Sequence, residues 1–280
     1  MLNFCWPKFK YMTENLSKQT NQSWQHVKSR FKRTSLGRPV FPRASTMPEW
    51  EHVEEHSHAW GQLTYINNGV MTIFTPQGTF VIPPQQALWI PPNVAHETYC
   101  RYGGHFRSVY IDQKYESLLG STAKSLVVSD LLKAMILEIC TWPEDYPLDD
   151  KTQRFIDVFV DRLEVAPTSD FFIPSAQDPR LHPIVSELYA NPGSALTLEQ
   201  WGQQVGASSR TLNRLFHKNF AMGFSQWKQK LRALRAVEML NAGQSQQIIA
   251  QQLGFESSSA FNSAFKKVFG VPPKQYCKQS

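Results

Sequence analysis

The last hundred residues hold a near-repeat that leaves few folds open. Trp201-Gly202-Gln203-Gln204-Val205-Gly206, followed by Leu212 and Phe216, returns as Ile249-Ala250-Gln251-Gln252-Leu253-Gly254, followed by Phe261 and Phe265. Each copy reads as a short helix, a turn centred on glycine, and a second helix carrying small polar and basic side chains outward. That is the helix-turn-helix pattern of a major-groove reader, present twice. Gly206 and Gly254 fall where the chain must bend sharply, a position suited to positive φ. Leu198, Val205, Leu212 and Leu215 have the spacing to lock the first unit, and Ile248, Leu253, Phe261 and Phe265 the second.

Charge is segregated along the 280 residues in a way that agrees. Residues 1–43 carry nine Lys and Arg against one acid, residues 44–177 eight against seventeen, and residues 178–280 twelve against five. The basic C-terminal stretch is the one with the repeat, as phosphate neutralisation requires. The four cysteines, Cys5, Cys100, Cys140 and Cys277, form no C-x-x-C pair, so neither a zinc finger nor a disulfide framework is indicated. With no run of 18–20 apolar residues and no signal-type leader, the expectation is a cytoplasmic protein with no membrane contact.

Four segments follow. Residues 1–46 read as a basic, flexible tail, or as sequence preceding a true start at Met47. Residues 47–115 hold short β-type runs, at Gly61–Asn67, Val70–Thr75, Thr79–Ile82, Ala87–Ile90 and Arg107–Ile111, punctuated by Pro, Asn and Gly turns. They suggest a small jelly-roll barrel. Residues 116–177 read as a helical connector with a dimerisation role, its helices near 125–141 and 150–165, ending in a Pro- and Ser-containing linker. Residues 178–280 form an all-α domain. The expected class is thus α+β and multidomain.

On the first recognition helix the outward candidates for DNA are Ser208, Ser209, Arg210, Thr211, Asn213, Arg214, His217 and Lys218. On the second they are Ser257, Ser258, Ser259, Asn262, Ser263, Lys266 and Lys267. Arg and Asn can pair bidentately with guanine and adenine edges, whereas Ser, Thr and Lys more often hold phosphates. Between the units, Phe224 to Leu240 would make a helix about 25 Å long at 1.5 Å per residue. The run from Ser208 to Phe216, then Gly223-Phe224, Leu253-Gly254-Phe255 and Phe265 to Pro273 resembles the DNA-binding domain of the AraC/XylS family of bacterial transcription regulators. The resemblance implies two units joined by a central helix, promoter DNA as partner, RNA polymerase as a further partner of an activator, and a homodimer. One departure is Gly202, where that family usually has alanine. In a helix, glycine costs roughly 0.5–1 kcal/mol relative to alanine.

His56 and His58, two apart, project from one face of a strand. With Gln62 and His96 their spacing resembles the two metal-site motifs of the cupin superfamily, and the stretches 58–63 and 87–92 resemble the cupin sensor of some AraC-family members. The metal candidates are accordingly His56, His58, Gln62 and His96, with Zn, Fe, Ni or Cu as the cations that imidazoles suit. Gln62 replaces the usual anionic glutamate and Asn93 a usual glycine, so metal binding and a purely organic pocket both stay open. Trp60, Gln62, Tyr65 and Trp89 are the effector-binding candidates, with Phe74 and Phe80 as further aromatics at the barrel mouth, although aromatic residues on strands are often core. The leading reading is a transcription regulator that answers a small molecule or metal. Its rival is a metal-dependent cupin oxygenase or isomerase with a DNA-binding appendage, which Gln62 argues against.

Overall fold

A computed structural model describes residues 23–29, 31 and 33–279. The expectation for the tail's first 22 residues lies outside the described residues. Within the rest of that tail, residues 25–27 and 40–46 lie in strands. Residues 25–172 form one compact unit, and the C-terminal residues from Ile173 belong to a second.

The first unit is a sandwich of two sheets. One has the order β1-β3-β8-β5-β6-β11 and the other β10-β7-β4-β9-β2. The strands are β1 (Gln25–Val27), β2 (Val40–Met47), β3 (Glu51–His56), β4 (Gly61–Gly69), β5 (Met71–Thr75), β6 (Gly78–Ile82), β7 (Gln86–Ile90), β8 (His96–Cys100), β9 (Gly104–Ile111), β10 (Lys124–Val127) and β11 (Phe172–Pro174). The jelly-roll expectation for the N-terminal domain stands, but its start at residue 47 does not. β2 pairs with β9 over its full length, from Val40 opposite Ile111 to Met47 opposite Gly104. Arg43, Ser45 and Met47 supply the period of two that marks a strand. The neighbouring Lys- and Ser-rich sequence hid it.

Strand periodicity divides the side chains between two apolar layers. Met47, Ile66, Met71, Ile73, Phe80, Leu88, Ile90 and Phe106 pack between the sheets. Leu63, Tyr65, Ala87, Trp89, Val109 and Ile111 point to the other side of the second sheet, where helices cover them. Those helices follow α1 (Glu116–Leu119) and are α2 (Asp130–Ile139) and α3 (Asp150–Glu164). Leu132, Met135, Ile136 and Ile139 from α2, with Ile156, Phe159, Val160 and Leu163 from α3, close the layer. The segment expected to connect domains is therefore an integral cover of the sheet, because a sheet apolar on both faces must be buried on both. The start of the helix expected over 125–141 is instead strand β10 (Lys124–Val127), antiparallel to β7.

The second unit contains α4 (Leu181–Ala190), α5 (Leu198–Val205), α6 (Ser209–Phe220), α7 (Phe224–Asn241), α8 (Gln246–Gln252), α9 (Ser258–Phe269) and α10 (Pro273–Gln279). Local chemistry sets the ends of the two helix pairs. Thr197 and Gln200 form a reciprocal capping box at the start of α5, and Ser208, Ser245 and Ser257 cap α6, α8 and α9. Such caps typically contribute about 1 kcal/mol each. Gly206 and Gly254 take φ of 66° and 68°, as the turns require. The central α7 has 18 residues, about 27 Å at 1.5 Å per residue.

The packing corrects two expectations from spacing. Ile248 is 45% exposed, and its neighbour Ile249, fully buried, occupies the locking position with Leu253, Phe261 and Phe265. Gly202 does not weaken α5. A Cβ there would lie 2.2 Å from the backbone oxygen of Ala207, so the turn closes only because none is present. Gly202→Ala should gain about 0.5–1 kcal/mol of helix propensity and lose about 1–3 kcal/mol to overpacking. The expected net result is destabilisation, and a raised melting temperature in the variant would contradict the close approach.

Candidate nucleic-acid interface and effector cavity

In the C-terminal unit, Leu212, Leu215, Phe216 and Phe220 make the buried face of α6. The rings of Phe216, Phe220, Phe224 and Trp227 form one aromatic cluster, with Phe216 at 5.3, 5.2 and 5.6 Å from the other three. With that face inward, Ser208, Ser209, Arg210, Asn213, Arg214, His217 and Lys218 are exposed, and Thr211 is half-buried. On α9, Phe261 and Phe265 face inward. Ser257, Ser259, Ser263, Lys266 and Lys267 are exposed, and Ser258 and Asn262 half-buried.

The hydrogen bonds sort these candidates further. Ser208 Oγ accepts from the Thr211 N–H at 3.2 Å, and Ser257 Oγ from the Ala260 N–H at 3.1 Å, so both serines hold helix ends. Asn213 Oδ1 accepts from the Phe224 N–H at 3.2 Å, which ties α6 to the start of α7. Asn262 Nδ2 donates to Gln246 Oε1 at 3.1 Å, bridging α9 to α8. Bidentate adenine reading uses both atoms of an Asn amide, and each of these amides is engaged inside the protein. Arg210 and Arg214, one helical turn apart, are left as the exposed guanidinium groups of the first recognition helix.

The second constellation lies at one end of the sandwich. β3 and β8 place His56 opposite His96, and the loop after β3 brings His58 alongside. The ring centroids are 4.3 Å apart for His56 and His96, 5.2 Å for His58 and His96, and 6.2 Å for His56 and His58. Asn93, in the glycine position, has φ of 61°, a left-handed conformation that Asn tolerates, and its N–H donates to the His58 carbonyl at 2.7 Å. Each histidine sets its Nδ1 against a backbone carbonyl, His56 on Glu54, His58 on Trp60 and His96 on Val94. For His56 and His96 this places the proton on Nδ1, and Nε2 of each neutral ring keeps its lone pair. His58 Nε2 instead lies 2.9 Å from Gln62 Oε1, an acceptor to which it donates, and Gln62 Nε2 donates to Thr64 Oγ1 at 2.6 Å. His96 Nε2 is buried and has no hydrogen-bond partner.

Burial holds all three rings neutral. It lowers the pKa of His56 and His58 and takes His96 down to about 3, with His56 and then His58 adding smaller effects on His96. Unfolded, these rings titrate near pH 6.5. Below that pH the unfolded chain takes up protons that the folded chain refuses. Their contribution to stability is thus complete above about pH 6.5 and is lost progressively as pH falls towards 3. His96 alone predicts a slope approaching about 1.4 kcal/mol per pH unit in that window. Urea unfolding of the full chain between pH 7 and pH 4 checks it, and a His96→Leu variant whose slope matches the parent would contradict it.

The three rings come together as their spacing suggested. No group of three or more His, Cys, Asp or Glu among the described residues is arranged to hold a metal ion. Gln62 already engages His58 Nε2. A cavity of about 80 Å³ does open beside them, lined by His56, Gln62, His96, Arg43, Tyr110 and Thr98, among others. Arg43 Nη1 donates to Tyr110 Oη at 3.0 Å. Of the aromatic effector candidates, Tyr65 and Trp89 lie in the layer under α2 and α3, and the Trp89 indole N–H donates to the Gly120 carbonyl at 2.8 Å. Gln62 and Thr64 face the cavity, so the intervening period of two turns Tyr65 away. Trp60 stacks on His58 and packs with Leu36, Phe41 and Tyr110 beside the cavity. Of the further aromatics, Phe80 sits between the sheets and Phe74 packs edge-on against Tyr99. Arg43, Ser45 and Tyr110 escaped the sequence reading, although the alternation of β2 and β9 carried the signal.

Two family models match the chain, a helix-turn-helix domain over residues 201–279 and an AraC-like ligand binding domain over residues 39–136. The second begins with β2, in agreement with the pairing. The HTH-type transcriptional regulator NimR of Escherichia coli (strain K12) is 29% identical over 221 residues, covering 79% of this chain and 81% of that protein. The HTH-type transcriptional regulator GbdR of Pseudomonas aeruginosa is 33% identical over 97 residues, 34% of this chain and 26% of that one. Among solved structures, ToxT from Vibrio cholerae aligns with 86% of this chain and 98% of its own at 13% identity and a TM-score of 0.37, too low for geometry to be carried over.

Proposed function

Because the chain belongs to the AraC family of transcription regulators and carries the family's ligand-binding and DNA-binding domains, we propose that the cavity beside His96 is where the effector binds. It is a DNA-binding regulator, and the enzyme alternative has no support among its relatives. Reading of promoter DNA is assigned to the exposed faces of α6 and α9. Arg210 and Arg214 contact base edges, and Ser209, Lys218, Ser259, Ser263, Lys266 and Lys267 hold the phosphates. Homodimerisation and contact with RNA polymerase belong to the same reading. No helix among the described residues is long and apolar enough to cross a membrane.

The observation that carries the effector assignment is His96, a residue of the cavity lining whose Nε2 is buried and without a hydrogen-bond partner. An orphaned buried polar atom costs about 1–3 kcal/mol, and a bound molecule that donates to it recovers that energy. Arg43 faces the same space and repels positive charge, which favours an organic ligand over a cation. A ligand changes promoter affinity only by as much as it distinguishes two states of the protein.

The test is genome-wide capture of DNA with the tagged chain, then binding of the recovered sites with and without added Zn²⁺ or cell-extract metabolites. Discrete promoter sites whose affinity shifts with a metabolite support the reading. A shift driven by Zn²⁺ alone would replace the organic effector with a metal, and failure to enrich any site would remove the DNA assignment.

A further inference from the structure

The effector cavity is chemically asymmetric, and the asymmetry names a ligand class. Its histidine end presents hydrogen-bond acceptors. His96 and His56 both spend their Nδ1 protons on backbone carbonyls, of Val94 at 3.0 Å and Glu54 at 2.9 Å. Their Nε2 atoms, in the neutral rings, can only accept. Of these two, His96 Nε2 is buried and has no hydrogen-bond partner. Within the same end stands a cation. Arg43 lies close enough to His56 to depress its protonation electrostatically, and it uses Nη1 on Tyr110 Oη. A guanidinium has five N–H donors, so most of its fork is available to a planar oxyanion. The lining acid, Glu51, sits at the other end of β3, five residues from His56, or about 16 Å along a strand. Lys28, also on the lining, adds positive potential.

We propose that this cavity binds a small hydroxylated carboxylate, its carboxylate on Arg43 and its hydroxyl donating to Nε2 of His96. The inference rests on the effector assignment above and deepens it. Size sets one limit. About 80 Å³ is roughly half of the 150 Å³ that holds benzene in an engineered cavity, which suits a head group of a few heavy atoms. Charge sets others. An ammonium group in place of the hydroxyl would bring a second cation into the end of the cavity that Arg43 already occupies. A phosphate at neutral pH has one or two P–OH donors among mostly acceptor oxygens, and so meets two imidazole nitrogens that themselves need donors less well than a hydroxyl does.

Calorimetric titration of the full chain with four probes tests this: glycolate, acetate, ethylene glycol and inorganic phosphate. Glycolate should bind at least tenfold more tightly than acetate, which lacks the hydroxyl, and than ethylene glycol, which lacks the charge. Phosphate should bind more weakly than glycolate. Arg43→Gln should weaken glycolate at least tenfold. His96→Leu should erase the preference for glycolate over acetate, and His96→Gln, which keeps an acceptor, should restore part of it. Thermal unfolding of each variant separates lost binding from lost folding. Equal binding of glycolate and acetate, stronger binding of phosphate, binding only with added Zn²⁺, or an Arg43→Gln variant that is folded and retains glycolate would each overturn the proposal. Promoter binding of the ligand-free chain, measured alongside, reports separately on the regulator reading.

Discussion

Phe216→Ala should lower the stability of the C-terminal unit by about 3–5 kcal/mol, the range for emptying a buried aromatic site. Phe216 is fully buried on α6 and contacts rings from its own helix and from α7, at Phe220, Phe224 and Trp227. No single neighbour can collapse into the space, because those rings already fix one another. With typical domain stabilities of about 5–15 kcal/mol, the loss leaves the first helix-turn-helix marginal. Calorimetric unfolding should show the transition of the C-terminal unit moving down while the transition of residues 25–172 stays in place. A C-terminal transition lowered by less than about 1 kcal/mol would show that the cluster does not organise the unit.

Arg210→Ala and Arg214→Ala should each weaken binding to a recovered promoter site by about 1–3 kcal/mol, roughly 5- to 150-fold, and relax sequence preference at one position. Both side chains are exposed on α6, on the face opposite Leu212, Leu215 and Phe216. Removing one therefore takes away an interaction with DNA without disturbing the core. Lys266→Ala on α9 should behave differently. Without its phosphate partner the chain binds all sequences more weakly, and the salt slope falls by about 0.9. Asn213→Ala serves as an informative contrast, since it should lower stability, by removing the acceptor of the Phe224 N–H, as well as affinity. Unchanged affinity and footprint in both Arg variants would remove the first unit as a reader.

Much of the DNA-binding unit was legible because its determinants are local. The glycine turns at 206 and 254, the serine caps at 208 and 257, and the apolar faces through Phe216 and Phe265 act over one or two helical turns, where the sequence period and the structure are the same thing. The clustering of His56, His58 and His96 was legible for a similar reason, since strand alternation and two short motifs bring them together. Ile248 shows the limit. Its one-residue offset from Ile249 is about 100° of helix, and both offsets fit an apolar pattern. Gly202 shows another, because its role depends on the Ala207 carbonyl reached across the turn.

Two helix-turn-helix units, a histidine-bearing sandwich and the family to which both belong are thus written in the amino-acid sequence alone, through periodicity, capping and turn chemistry. Which face of each strand meets the cavity and which meets the helices is a matter of packing in three dimensions. A shift of one residue in a strand exchanges the two faces, and both faces of the second sheet are apolar. Burial between layers, not local preference, sent Tyr65 and Trp89 under α2 and α3 and brought Arg43, from the basic N-terminal stretch, to the side of His56.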